Sequence, residues 1–412
     1  MKGHLSRLKA LVLGNSSGEV ALRFLELIWG YPLYLVSFIT PRRKNKWAFG
    51  TNVGFVDNAK YLFIDTFEKK EIACYWIAPT RKSAETIRKK GLPAYYKYSL
   101  KGLYHCLTAS VYIFTYHSKD INFFTSGRVK KVNLWHGVGI KSGNTGKESS
   151  GKSRLYRVIE RVALPHLFEK YKLFLSTSPL MNEHFKKMFH LNGKEIFENI
   201  YPRCEFICRE KQQIEYFISR YEDKKVTDVI DTIKRFSKTY LYMPTWRSDL
   251  KDNFLKEAGF DFPALNRILA QKDELLILKL HPAVRILQSE YSNFDHILFL
   301  DKGLDIYPIL PYTQVLITDY SSIYYDYILM KDKEVILYPF DLHSYQKDSD
   351  SLAFDYEEYT PGKRVYTMPE LLDALKNEGK FHVAQRDKII DLFWKSFNTF
   401  NADGLYNRIR SL

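Results

Sequence analysis

Short apolar runs alternate with segments of helical spacing along most of the chain, starting near residue 46. The run KWAFG (46–50) predicts a strand, and NAKYLFIDTFEKK (58–70), in which apolar residues recur every three or four positions, predicts the helix that follows it. Short apolar strands that alternate with helices are typical of a mostly parallel sheet covered on both faces. The chain is therefore predicted to be an α/β protein.

A second series with the same pattern begins after the connection near residues 200–225. Its strands are predicted at TYLYMPT (239–245), ELLILKLHP (274–282), HILFLD (296–301), QVLITDYSS (314–322) and EVILYP (334–339). We predict two Rossmann-like, doubly wound domains, at 46–205 and 206–412, that face each other across a cleft and bind ligands at the carboxyl ends of their strands. The last segment (388–412) has helical spacing and can pack on either domain, including back across the first.

The first 45 residues form a separate segment. The stretch 24–40 is apolar except for Glu26, and the basic run PRRKNK (41–46) follows it. Its 17 residues are at the lower limit for a membrane span, and GYP (30–32) predicts a break in the middle of a helix. We predict a pair of helices that lie on the membrane interface and are attracted to anionic lipid. A true span and a buried helical hairpin are the alternatives.

Composition narrows the class of protein. An apolar fraction of 45% excludes global disorder, and a net charge of +15 favours an anionic partner: nucleic acid, a phospholipid surface or a phosphorylated substrate. Four cysteines in a chain of this length favour a reduced, cytoplasmic setting over a disulfide framework. Cys204 and Cys208 are four residues apart with no histidine at zinc-ligand spacing, so no structural zinc site is predicted.

Four predicted strands end in polar residues whose chemistry suits phosphate. Arg247 offers a planar fork of donors for phosphate oxygens. Ser321 and Ser322 open a predicted helix, whose first backbone N–H groups form an anion site. His281 can donate a hydrogen bond to a phosphate, and His136 is of the residue type best suited near neutral pH to removing a proton from an attacking hydroxyl. Because all four strand ends should meet at one cleft, they predict a single site.

Several common catalytic patterns are absent from the sequence. It contains no GxxxxGK[ST], no GxGxxG after the first strand, and no HExxH, GxSxG or CxxC. The acidic run DSD (348–350) is typical of a solvated surface, so no metal ligands are assigned. We expect a protein that requires no cofactor, with Mg²⁺ as the one ion left open.

Seven stretches of the chain, spread in order over about residues 46–370, form a recognisable set. They are FVDNAKYLF (55–63), NLWHGVGIK (133–141), YPRCE (201–205), YMPTWR (242–247), LKLHP (278–282), the run 316–345 that begins LITDYSS, and FDYEEYTPG (354–362). Together they resemble the bacterial CDP-glycerol glycerophosphotransferase family, the teichoic acid primases and polymerases. The resemblance implies a GT-B-like fold and a cytoplasmic, peripheral or monotopic position on the cell membrane.

The resemblance also implies roles for residues that match the family's motifs. His136 would be the general base, and His281 would contact the pyrophosphate of a CDP-linked donor. Arg247, Ser321 and Ser322 would hold phosphates.

Further matched positions are candidates as well. Asp319 would order the loop that carries the serines, while Gly137, Lys141, Arg203 and Thr245 are additional candidate site residues.

The implied reaction moves a polyol phosphate, with glycerol phosphate expected, from a CDP-polyol to a hydroxyl of a lipid-linked glycan or of a growing teichoic acid or capsule polymer, and releases CMP. CDP-ribitol as donor and a GT-B nucleotide-sugar glycosyltransferase are the alternatives within this fold. A basic nucleic-acid-binding or membrane-binding protein without catalysis is the alternative of another class, but paired histidines at strand ends argue against it, so no nucleic-acid partner is expected.

The chain departs from the family's usual pattern at two places. Val138 and Gly139 stand where members often have Thr-Pro after WHG, and Cys204 and Glu205 stand where YPRND is common. Both differences lie beside candidate site residues and are expected to affect donor or acceptor preference.

Overall fold

The structure is a computed structural model of the 412-residue chain. It describes residues 17–139, 154–247, 253–281, 284, 294–342, 344–345, 352–377, 380–395, 397 and 402–412.

The first of two sheets has seven parallel strands in the order β3-β2-β1-β4-β5-β6-β7. Its strands are β1 (Arg43–Gly50), β2 (Ala73–Ala78), β3 (Ala94–Tyr96), β4 (Ala109–Phe114), β5 (Lys130–Asn133), β6 (Leu173–Ser176) and β7 (Ile196–Glu198). The strand order reverses between β1 and β4. The short central strands are buried on both faces, which explains why they read as continuous apolar runs in the sequence.

The second sheet has six parallel strands in the order β10-β9-β8-β11-β12-β13. They are β8 (Lys238–Tyr242), β9 (Glu274–Leu278), β10 (Ile297–Phe299), β11 (Val315–Thr318), β12 (Glu334–Leu337) and β13 (Lys363–Arg364). The order reverses between β8 and β11, so a crevice opens beyond the carboxyl ends of these two strands. In open α/β sheets this reversal point is where ligands bind.

Helices cover both sheets and connect their strands. They are α1 (Ser17–Ile39), α2 (Asp57–Lys69), α3 (Arg81–Lys89), α4 (Leu100–Thr108), α5 (Arg154–Ala163), α6 (Pro179–Phe189), α7 (Pro202–Ile207), α8 (Lys211–Tyr221), α9 (Lys224–Ile233), α10 (Phe254–Glu257), α11 (Phe262–Lys272), α12 (Ile323–Tyr327), α13 (Tyr356–Tyr359), α14 (Met368–Lys376), α15 (Arg386–Phe393) and α16 (Ala402–Arg410). Helices α7 to α9 form the connection between the sheets, and the predicted domain boundary at 205/206 falls within α7.

The carboxyl-terminal helix α16 packs on the first sheet rather than on the second. The ring of Tyr406 lies 5.5 Å from that of Trp47 on β1, and the Lys69 ammonium pairs with Asp403 at 2.5 Å. Tyr406 and Trp47 are both almost fully buried. The chain therefore crosses back to the first half at its end, one of the two placements considered for this segment.

The predicted break near GYP is wrong, because α1 continues through Pro32. A proline inside a helix costs about 3 kcal/mol, which packing must offset. Here Gly30 lets the helix approach Phe124 so closely that an added Cβ would lie 2.6 Å from its ring, and Tyr34 stacks on the next ring, that of Phe123, at 5.1 Å.

The other predictions for this segment concern membranes. The first helix of the predicted pair falls within residues 1–16, outside the described part of the chain. Among the residues that the structure describes, no helix is long and apolar enough to cross a membrane.

Candidate functional site

A cleft of about 380 Å³ lies between the two sheets and is lined by residues that follow strands of both. Six of the predicted residues line it: His136, Gly137, Thr245, His281, Ser321 and Ser322. Asp319, Arg247 and Arg203 are buried behind its walls. Lys141, the tenth candidate, and Pro282, which was expected to restrict His281, lie outside the described residues. The four strand ends selected from the sequence thus meet at one cleft.

His136 is presented by a tight reversal of the chain after β5. Asn133 accepts a hydrogen bond from the backbone N–H of Trp135 at 2.8 Å, and the Asn58 amide donates to the Trp135 carbonyl at 2.8 Å. Trp135 has a φ of 53°, a left-handed conformation that costs of order 1–3 kcal/mol in a residue other than glycine. The His136 ring stacks on Tyr116 with centroids 4.6 Å apart. These contacts hold a strained turn whose tip is the imidazole.

Gly137 lies beside the cleft, at a close approach between the turn of the first half and the serine loop of the second. Its φ is 145°, and an added Cβ would lie 3.0 Å from Nη2 of Arg203 and 3.3 Å from Oγ of Ser322. A side chain at this position would therefore separate the turn that carries His136 from the serine loop of the second half. Val138, one of the departures from the family pattern, is fully buried and contributes to the core.

The structure places Arg247 differently from the prediction that its fork faces a phosphate. The guanidinium is buried, donates through Nε and Nη2 to both carboxylate oxygens of Asp341 at 2.6 Å, and through Nη1 to Asp319 at 2.6 Å. Burial disfavours its charge, but Asp319 and Asp341 outweigh that penalty and raise the pKa of Arg247. The fork is therefore occupied by protein carboxylates, which the sequence alone did not pair with it.

Asp319 joins the loops that follow β8 and β11. Its carboxylate accepts the backbone N–H of Thr245 at 2.9 Å as well as the Arg247 bond. The hydroxyl of Tyr320 donates to Asp341 at 2.9 Å and extends the same network. The wall of the cleft formed by the second half is thus fixed by buried, charge-assisted hydrogen bonds.

The serine pair lies half-buried on this wall, and the helix after it is short. It spans only Ile323–Tyr327, with Ser322 at its start in helical conformation. A helix of five residues adds little dipole, so the hydroxyls of Ser321 and Ser322 are the main anion-binding groups here.

His281 follows β9 and is exposed on the cleft, with its ring 5.1 Å from that of Trp246. Partial burial and the nearby Lys279 ammonium lower the pKa of His281 below its usual value. The neutral imidazole therefore dominates near pH 7 and can serve as a hydrogen-bond donor through one nitrogen.

Sequence reasoning missed several residues of this site. Lys279, Trp246 and His184 line the cleft, and Asp341 supports it. Lys279 lies two residues before His281 and Trp246 lies directly before Arg247, so their position after a strand was a usable signal. Among the described residues, no group of three His, Cys, Asp or Glu side chains could hold a metal ion.

The chain is similar to known proteins over most of its length. Residues 33–411 match the sequence profile of the family described as CDP-glycerol:poly(glycerophosphate) glycerophosphotransferase. The chain is 25% identical to the teichoic acid glycerol-phosphate transferase of Staphylococcus aureus, covering 78% of this chain and 80% of that protein. It is 26% identical to the teichoic acid ribitol-phosphate primase of Bacillus spizizenii, covering 76% and 77%.

Solved structures give a matching result for the fold. The wall teichoic acid polymerase TagF superposes with a TM-score of 0.70 at 19% identity, covering 95% of both chains. A TagF variant soaked with CDPG superposes with a TM-score of 0.68 at 16% identity, covering 95% of this chain and 97% of that one.

The titration of Lys279 gives a test of the structure of the cleft. Burial lowers its pKa from 10.5 to about 8, and its Nζ donates to the backbone carbonyls of Asp301 and Lys302 at 2.8 Å. Between pH 8 and 10.5 the unfolded chain binds more protons at this residue, so its contribution to stability rises with pH. The free energy of unfolding of the wild type, minus that of Lys279→Met, should therefore increase across this window in urea titrations.

The same series on Lys211→Met, at an exposed lysine, corrects for the loss of one positive charge. A constant difference for Lys279→Met from pH 7 to 10 would contradict the burial of this ammonium.

Proposed function

The chain belongs to the CDP-glycerol:poly(glycerophosphate) glycerophosphotransferase family, and from this membership we infer that it transfers glycerol phosphate from CDP-glycerol to a hydroxyl acceptor and releases CMP. It is an enzyme of the teichoic acid type, similar to glycerol-phosphate transferases and polymerases. The observation that carries the proposal is the cleft that has His136 on one wall and His281, Ser321 and Ser322 on the other.

In the proposed reaction an acceptor hydroxyl attacks the β-phosphorus of the donor. A new O–P bond forms, the bond from that phosphorus to the CMP oxygen breaks, and CMP leaves. His136 takes the hydroxyl proton. Such transfers depend chiefly on positioning and on stabilising charge, rather than on covalent chemistry by the protein.

The opposite wall would bind the pyrophosphate. Ser321, Ser322 and Thr245 supply hydroxyls at the cleft, and the neutral imidazole of His281 supplies a further donor. Arg247 and Asp319 hold these groups in place from behind, so we assign them positioning roles in place of direct phosphate contact. The two halves would then correspond to an acceptor domain and a CDP-donor domain of a GT-B-like enzyme.

The acceptor is inferred to be a lipid-linked glycan or a growing teichoic acid or capsule polymer. Its terminal hydroxyl would meet His136 on the first-half wall of the cleft. CDP-ribitol is the second candidate donor, because a ribitol-phosphate primase is as similar to this chain as the glycerol-phosphate enzymes are.

We further infer that the enzyme lies on the cytoplasmic face of the cell membrane as a peripheral protein. Helix α1 exposes a row of large apolar side chains, each 61–79% exposed: Ile28, Trp29, Leu35 and Ile39. The neighbouring helix α5 exposes Val158 and Val162, and the Tyr31 hydroxyl joins the two helices through the Val162 carbonyl at 2.6 Å. Exposed cations flank this surface at positions 43, 44, 157 and 161. An apolar surface rimmed by cations suits an anionic lipid interface.

The reaction is tested by incubating the full-length enzyme with a lipid-linked acceptor and measuring CMP. We expect release from CDP-glycerol that depends on acceptor, since the hydroxyl is the nucleophile. Parallel reactions with CDP-ribitol and with a UDP-sugar define the donor. CMP release from CDP-ribitol alone would transfer the assignment to the second candidate, and UDP release alone would overturn it in favour of a glycosyltransferase.

The proposed base is tested by His136→Ala. Loss of a general base reduces turnover by about 10²–10⁴-fold, while CDP-glycerol affinity should change by less than about threefold, because the donor contacts lie on the other wall. Turnover is read from CMP release and affinity from calorimetry. His382→Ala, at an exposed histidine remote from the cleft, is the matched control. Near-normal turnover of His136→Ala would remove the residue from this role.

The membrane surface is tested by sedimentation with vesicles rich in phosphatidylglycerol. The double variant Trp29→Ser and Ile39→Ser should bind at least about tenfold more weakly, because burying each side chain in the interface contributes about 1.5–3 kcal/mol. Tyr366→Ser, at an exposed aromatic residue of the second half, serves as control. Equal vesicle binding by the double variant and wild type would show that this surface faces water.

A further inference from the structure

Arg203 is the only described residue whose guanidinium touches both halves directly behind the cleft wall. It lies at the start of α7, is 5% exposed, and donates through Nη1 to Asp57 at 2.7 Å and through Nη2 to Asp326 at 2.7 Å. Asp57 begins helix α2 of the first half, and Asp326 lies in α12, the short helix that follows the serine pair.

The second half adds further contacts to this arginine. The hydroxyl of Tyr307 donates to the same Asp326 oxygen at 2.6 Å, and its ring lies 4.6 Å beneath the guanidinium. Asp326 thus has two strong donors on one oxygen, which fixes its orientation. Because Asp326 and Ser322 are one turn apart in the same short segment, the arginine also fixes the position of the serine loop.

The first half is connected to Arg203 through Asn58. The side-chain Oδ1 of Asn58 accepts the backbone N–H of Arg203 at 3.3 Å, and its Nδ2 donates to the backbone carbonyl of Trp135 at 2.8 Å. Trp135 and Asp57 both have positive φ angles, 53° and 67°. Because two residues of this connection have strained backbones, the turn that holds His136 keeps its shape through these contacts and not through the backbone preferences of its own residues.

We propose that Arg203, with Asp57, Asn58 and Asp326, is a positioning clamp that sets the distance between the proposed base and the donor phosphate. The guanidinium itself is bonded to two carboxylates, so it acts through the residues around it and not on the substrate. The proposal rests on the proposed function in one respect: the rate of glycerol-phosphate transfer is the quantity that reports a change in this distance.

The structure offers a matched control on the same connection. Arg209 also bridges two carboxylates, those of Asp65 and Glu205, at 2.6 Å, but it lines a separate groove away from the cleft. Arg203→Gln and Arg209→Gln therefore remove similar ion pairs, and only the first removes contacts to the walls of the cleft.

The test compares kcat with donor affinity at a temperature where each variant is folded. Arg203→Gln should lower kcat by about 10²-fold, the effect expected of a displacement near 1 Å, with CDP-glycerol affinity within about threefold of wild type. The kcat of Arg203→Lys should lie between those of Arg203→Gln and the wild type, because lysine keeps the charge but cannot bridge both carboxylates as a fork. Arg209→Gln should keep kcat within about threefold. Equal losses of kcat in Arg203→Gln and Arg209→Gln would show that Arg203 only stabilises the fold, and would overturn the proposal.

Hydrogen–deuterium exchange provides a readout that needs no turnover. Peptides that contain residues 134–139 and 320–323 should exchange faster in Arg203→Gln than in the wild type. Their exchange in Arg209→Gln should equal that of the wild type. If the wild type releases no CMP, the proposed function fails while exchange still tests the clamp. Unchanged exchange in these peptides overturns the clamp even where CMP is released. Should Arg203→Gln not fold, Asp326→Asn neutralises the carboxylate that Arg203 and Tyr307 share, keeps the Asp57 ion pair and is judged by the same two criteria.

Discussion

Buried arginines that bridge pairs of carboxylates hold the cleft together. Arg203 lies between Asp57 and Asp326, and Arg247 lies between Asp319 and Asp341, all within 2.7 Å. Removing a charge from water is costly, so a buried guanidinium is tolerated only where carboxylates meet it with good geometry. The loops around each arginine must therefore place their carboxylates accurately. The first arginine connects the halves, and the second makes one wall rigid.

This division explains the polarity of the cleft wall. Hydroxyls and imidazoles face the space between the sheets, while the strongest charges lie behind them. A phosphate would then meet donors that are already oriented by a rigid support, and no large reorganisation would accompany its binding. Strain at Trp135 is compatible with this support, because the bonds from Asn58 and Asn133 hold both sides of the residue.

Much of the architecture could be read from local patterns. The alternation of apolar strands and helices predicted both parallel sheets, and the strand ends that carry polar residues identified six residues that line one cleft. Partners that are distant in sequence could not be found this way. Arg247 looked like a phosphate ligand because nothing near it in the sequence reveals Asp341, 94 residues away. Pro32 looked like a helix break because the ring that packs on Gly30 belongs to residue 124.

The return of the last helix to the first sheet has a consequence for how the protein is made. Trp47 on β1 remains incompletely covered until Tyr406 arrives, about 360 residues later in synthesis. The amino-terminal half therefore cannot complete its core while the ribosome is still translating the second half. The surface of Trp47 that Tyr406 covers therefore stays accessible for that interval.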